Sequence, residues 1–272
     1  MSKPDPRRFP EQLRTFNFNN SIDGKNTNIL ILLHGLGDKC DAFFKFGTNL
    51  KLPQTAVLAL AGPFEIPFVD GKAWFEAFDE SFELIQARPG EKRRATSLRK
   101  CRELVLSFLD ALHAHGYAFE RMHLFGFAQG GTVVLDIIQH LSNRGKLGSA
   151  TAVSSCVLEE FLEGYIHDEC DCTAPTPVLL LHGQKDTTIP LQSAHQTEKY
   201  LREQMKTQDV TLKVFPKAGG MISSAEEARE FMTFMARRIH QRSALEERGD
   251  LIEITSQDKQ QIVSKLKQQQ SP

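Results

Sequence analysis

Leu124-Phe125-Gly126-Phe127-Ala128-Gln129-Gly130-Gly131 joins two patterns of different period. Before it, Met122 to Phe125 is mostly apolar and reads as a buried strand; after it, Thr132 to His140 reads as a helix. Small residues crowd the junction. A strand that turns at once into a helix brings two backbones close together, and glycine permits both the approach and the unusual dihedral angles. Gly126 and Gly130 stand two before and two after a central residue, the spacing of a G-x-S-x-G nucleophile elbow. The central residue here is Ala128. The stretch specifies an architecture and lacks the hydroxyl that usually reacts there.

Outward from the elbow the chain alternates strand and helix. Toward the N-terminus, Ile29 to Leu33 is a continuous apolar run, as in strands buried on both faces. It ends in His34-Gly35-Leu36-Gly37-Asp38, a glycine loop at a strand's C-terminal end, where ligands sit in open parallel sheets. Asp41 to Leu50 reads as a short helix, Thr55 to Leu60 as a strand, and Glu91 to His115 as a long helix closed by Gly116. Between them runs a long aromatic loop, Phe64 to Phe82, holding Trp74 and Phe75. Such loops are usually functional, and two readings stand: a hydrophobic plug or a wall of a substrate groove. Toward the C-terminus the strands are Lys146 to Ser154, Pro177 to Leu181 and Val210 to Phe215, with helices at Leu191 to Lys206 and Ser223 to Arg242. Arg14 to Phe18 reads as an edge strand after an irregular start. This order predicts an α/β fold with a mostly parallel central sheet and helices on both faces. The expected division is an N-terminal irregular or edge segment (1–27), the main domain (28–242) and a polar extension (243–272). In the extension, Leu251 to Thr255 reads as a short strand. Asp258 to Gln269 carries a narrow stripe of Ile262, Val263 and Leu266, read either as a docked or partner-binding helix or as a frayed tail.

Composition excludes several function classes. Of 272 residues, 40% are apolar and 25% charged, and the formal net charge is −1, which gives nucleic acid and anionic membranes no electrostatic hold. Runs such as Lys92-Arg93-Arg94 and Arg237-Arg238 read as solvated helix faces. Nothing approaches the roughly 20 apolar residues of a membrane span. The N-terminus has no apolar signal core, so the expected location is the cytoplasm, with access to the nucleus. Five cysteines, an odd count without C-x-x-C, fit a reducing compartment. Cys170-Asp171-Cys172 lacks the matching His or Cys pair of a metal site and reads as a loop. No metal and no cofactor are expected.

Five segments in this order resemble one known family. They are His34-Gly35-Leu36-Gly37-Asp38, Trp74-Phe75-Glu76, Gly126 to Gly131, the stretch from His182-Gly183 through Asp186 to Ile189-Pro190, and Gly219-Gly220-Met221-Ile222-Ser223-Ser224. Together they resemble the phospholipase/carboxylesterase family of α/β-hydrolases, which includes the acyl-protein thioesterases. The resemblance implies an α/β-hydrolase fold, no cofactor, and an acyl-ester or lipidated-protein ligand. It places Asp186 as triad acid, Leu36 and Gln129 as oxyanion-hole positions acting through backbone N–H groups, and Trp74 near the acyl site. It also places Ala128 where the family has its nucleophilic serine, and Ile222 where it has histidine.

Those two departures decide the chemistry. A methyl group has no lone pair, and an isoleucine neither takes nor gives a proton, whereas acyl transfer by a triad needs both functions. The oxyanion hole and binding alone retain roughly 10³–10⁴-fold acceleration in such sites. Loss of both groups favours natural degeneration over a single laboratory change. The primary expectation is a catalytically degenerate hydrolase that keeps a crevice for an acyl-like ligand or a partner, engaged through the Phe64 to Phe82 loop or the C-terminal extension. The alternatives are a slow or unconventional esterase or thioesterase using Cys156, Cys40 or water, and a scaffolding subunit with a collapsed pocket. His34 and His182 read as packing histidines.

Overall fold

A computed structural model describes residues 3–241. In chain order its elements are β1 (Phe16–Asn19), β2 (Asn28–Leu33), α1 (Cys40–Asn49), β3 (Thr55–Leu60), β4 (Phe64–Ile66), β5 (Val69–Ala73) and α2 (Arg93–His115). Then follow β6 (Met122–Phe127), α3 (Gln129–Ile137), β7 (Ser149–Val153), α4 (Glu159–Leu162), β8 (Val178–Gly183), α5 (Leu191–Gln204), β9 (Val210–Phe215) and α6 (Ala225–Ala236). The main sheet has the strand order β1-β3-β2-β6-β7-β8-β9. β1 is antiparallel to β3, and every other pairing in that sheet is parallel. This is the mostly parallel, helix-covered sheet that the alternation predicts.

Strand periodicity splits the interior into two cores. Every residue of β2 is buried, with Ile29, Ile31 and Leu33 on one face and Leu30 and Leu32 on the other. The first face packs with Leu98, Val105, Phe108 and Leu109 of α2 and Val133 and Val134 of α3. The second packs with Phe43 of α1 and Phe231, Phe234 and Met235 of α6. Full burial of one such side chain stabilises by about 1.5–3 kcal/mol, so the order of helices around the sheet follows from which strand positions are apolar.

Three segments differ from the sequence reading. Residues 6–13 are not irregular: they form two short turns, Pro6–Arg8 and Glu11–Leu13, and bury Phe9 and Leu13. The Phe9 ring lies 4.1 Å from that of Phe108, so aromatic packing overrides the proline signals. The aromatic loop contains the β4–β5 hairpin and a Phe78–Leu84 bridge. α3 begins at Gln129, three residues early, because packing against the sheet holds two poor helix formers, Gly130 and Gly131, in helical shape. The strand and helix readings at 251–255 and 258–269 lie outside the described residues.

Candidate functional site

The loops after β2, β6, β7 and β8 leave the same end of the sheet, since these strands are parallel. They carry Leu36, Ala128, Ser154 and Asp186 respectively. Ala128 is the turn itself, with φ 47° and ψ −117°, a region that costs a residue with a Cβ about 1–3 kcal/mol. Its amide donates to the Val153 carbonyl (3.0 Å), and its carbonyl accepts from Thr132 N (3.1 Å) and Ser155 Oγ (2.9 Å). The glycines around it are obligatory. A Cβ on Gly130 would sit 2.5 Å from the Leu33 carbonyl oxygen, and one on Gly131 2.6 Å from Ser155 Oγ. The backbone of an elbow is thus complete, and a methyl group occupies its apex.

Asp186 is buried, and its Oδ1 accepts from Thr188 N (2.9 Å) and Ile189 N (3.0 Å). His182 is fully buried beside it: Nε2–H donates to the Ile189 carbonyl (2.8 Å), and Nε2 lies 3.9 Å from Asp186 Oδ2. The segment that should supply a base reaches the same place. A Cβ on Gly219 would lie 2.5 Å from Asp186 Oδ2, and Gly220 N donates to Ser154 Oγ (3.0 Å) one residue beyond the strand that holds Ala128. Lys217 Nζ donates to the carbonyls of Gly220 (3.0 Å) and Met221 (2.8 Å) and is ion-paired with Glu227. Met221 and Ile222 are half-buried and, with Phe127, pack on the α1–α6 core. Ile222, the residue expected at the base position, is thus part of an apolar surface.

The other singled-out residues fall into place around this frame. Among the described residues, the amides of Leu36 and Gln129 have no backbone acceptor. The side chain of Gln129 is spent elsewhere: Oε1 accepts from Trp74 N (2.7 Å), and Nε2 donates to the Phe75 carbonyl (2.8 Å). Trp74 is fully buried, with Nε1 donating to the His34 carbonyl (2.8 Å), and Phe75 is nearly so; both belong to the core. His34 is a packing histidine: Nδ1–H donates to Gly35 O (2.7 Å) and Nε2 accepts from Gly62 N (2.9 Å), so the ring is neutral, and burial lowers its pKa. The two rescue thiols are poor nucleophiles. Burial pushes Cys156 up to about 12, and Cys40 is likewise raised, chiefly by burial. Sequence spacing gave no signal for the Gln129 side chain, Ser154 or Lys217, whose partners lie far off in the chain.

Comparison with known proteins shows the family and the fold. The sequence profile of the phospholipase/carboxylesterase family matches residues 19–239. An uncharacterized hydrolase of Mycosarcoma maydis is 35% identical over 185 residues, 65% of this chain, and the chain covers 64% of that protein, less than two thirds of its length. Acyl-protein thioesterase 1 of Gibberella zeae is 29% identical over 228 residues, 79% of this chain and 92% of that one. The crystal structure of esterase PE8 superposes with a TM-score of 0.68 over 82% of this chain and 97% of its own, at 19% identity, a likeness of fold.

Proposed function

Because the chain belongs to the phospholipase/carboxylesterase family of α/β-hydrolases, we propose that it is a catalytically degenerate member whose crevice serves binding. The observation that carries this reading is Ala128 at the apex of an otherwise intact elbow. The ligand class is an acyl ester or an acylated protein segment, whose carbonyl oxygen would meet the Leu36 and Gln129 amides while its chain meets Phe127, Met221 and Ile222. The activity named for the thioesterase relative belongs to that protein. Asp186 remains as a carboxylate whose partner is gone. No helix among the described residues is long and apolar enough to cross a membrane, and a cytoplasmic location is part of the proposal.

Two measurements test it. A fluorophosphonate, which labels triad serines, leaves no adduct on any residue of the crevice. Hydrolysis of short p-nitrophenyl esters and acyl thioesters stays within roughly 10³–10⁴-fold of the uncatalysed rate. A stoichiometric serine adduct near residue 128, or turnover at rates typical of enzymes, about 10⁶-fold and above, defeats the proposal.

A second reading, a scaffolding subunit with a collapsed pocket, draws support from the burial of Trp74 and from Met221 and Ile222 packing on the core. Binding of a non-hydrolysable acyl analogue separates the two: the first requires it and the second forbids it. The thiol-based route is disfavoured by the raised Cys156 and Cys40 thiols.

A further inference from the structure

We infer that Cys170 and Cys172 form a redox-active dithiol, a site that low-molecular-weight disulfides oxidise to an intramolecular disulfide. Their Sγ atoms lie 3.1 Å apart. Both are free and half-buried, whereas Cys40, Cys101 and Cys156 are buried. One intervening residue does not by itself bring two thiols face to face. Here the backbone is tied down on both sides. The amides of Asp171 and Cys172 both donate to the Gln139 carbonyl (2.9 and 3.2 Å). The Asp171 carboxylate accepts from Ser142 N (2.9 Å) and Ser142 Oγ (2.5 Å), and Thr173 Oγ1 donates to the Ser142 carbonyl (3.0 Å). Just upstream, Asp168 is ion-paired with Arg102 (2.5 Å) and Arg99 (3.2 Å) of α2. The ordering needed to join the sulfurs is met by folding, which raises the effective concentration of one thiol at the other. Among the described residues no group of three or more His, Cys, Asp or Glu is placed to hold a metal, so the pair lacks the further donors of a metal centre.

The reaction is thiol–disulfide exchange. Cys170 Sγ, as thiolate, attacks one sulfur of a small disulfide such as glutathione disulfide; that S–S bond breaks and the first glutathione leaves as thiolate. Cys172 then gives up its proton and attacks Cys170 Sγ; the mixed disulfide breaks and the second glutathione leaves. Two protein thiols and one small disulfide become one protein disulfide and two small thiols, with protons and electrons balanced. Burial, with the hydrogen bond to Cys170 adding to it, pushes the Cys172 thiol up; the exchange balances equally with either sulfur attacking first. A ring closed across a single residue departs from relaxed disulfide geometry, which makes the product readily reduced, as regulatory disulfides are.

The test uses the full chain in glutathione buffers of increasing oxidised fraction, with acid quenching, alkylation and peptide mapping. The expected product is a Cys170–Cys172 peptide lighter by two hydrogens, with both thiols lost together from titration of the folded protein by a chromogenic disulfide. Both cysteines still alkylated in the most oxidising buffer, or glutathione adducts alone, overturn the inference. Cys172→Ser and Cys170→Ser should each trap glutathione on the remaining thiol, and no adduct on either refutes the exchange. Asp171→Ala, which frees the segment from Ser142, should require an about tenfold more oxidising ratio, equivalent to about 30 mV. An unchanged ratio would refute preorganisation by that anchor.

Discussion

Ala128 keeps the strained backbone of a nucleophile position without the nucleophile. In an active hydrolase the strain exposes a reactive oxygen; on the proposed reading nothing here draws on it. Ala128→Gly should therefore stabilise the fold by up to about 1 kcal/mol, because glycine reaches φ 47° freely and loses only part of that gain to its flexible unfolded state. The change appears as a rise of about 2–4 °C in Tm, and a fall would mean that the Ala128 methyl makes packing contacts worth more than the strain. Restoring chemistry needs two residues. Ala128→Ser with Ile222→His should raise ester hydrolysis at least about 10²-fold over the parent, while Ala128→Ser alone gains little, since the base is still missing. Equal rates from the single and double variants would reveal another base. At this scale the sequence was readable where residue size decides the backbone, as at Gly126 and Gly130. It was silent where a side chain acts through distant partners: Gln129 reads as an oxyanion amide, and nothing near it in the chain shows its carboxamide pinning Trp74 and Phe75.

Among elements, the turn into α6 is held in shape by its own cap. Ser224 and Glu227 form a reciprocal cap, and Glu227 Oε2 also accepts from the Ser223 amide (3.0 Å). Burial alone would raise the Glu227 pKa; the hydrogen bond from Lys217 and those from the Ser223 and Ser224 amides outweigh it, and the net shift is downward. A carboxylate depressed in the folded state contributes stability that is complete above its ordinary pKa, about 4.3, and is lost as pH falls through the lower folded value. Glu227→Gln should thus cost about 1–3 kcal/mol at pH 7 and much less near pH 3, read from urea midpoints at the two values. A penalty independent of pH would mean the charge contributes nothing. The helix start itself was legible in Ser223-Ser224 followed by Glu226-Glu227, because capping is local chemistry. The β4–β5 hairpin was not, since Phe68 turns it at φ 63°, a conformation that an aromatic residue does not advertise.

For the whole molecule, the two-faced sheet was legible because near-continuous apolar runs in β2, β3 and β6 report directly on burial on both faces. The same burial leaves an electrostatic liability that no motif marks. His123, an alternate position of β6, is fully buried, with Nδ1 2.8 Å from Ser149 Oγ. Burial first, and then the nearby Arg121 charge, depress its pKa to about 4. His34 is lowered by burial in the same direction. As pH falls through about 6.5 the unfolded chain takes up these protons, while the folded chain refuses His123's until about 4, so stability declines between those values. For His123 the loss at pH 5 is about 2 kcal/mol, from about 1.4 kcal/mol per pH unit. Glu227, whose pKa is lowered in the fold, keeps its charge there, which separates this effect from that of the α6 cap. Urea unfolding at pH 7.5 and pH 5 should show the fall in the parent chain. In His123→Leu, whatever its absolute stability, the difference between the two pH values should shrink by about that amount. An undiminished difference would place the acid sensitivity elsewhere, and the buried imidazole of β6 would then be as easily charged inside the sheet as in water.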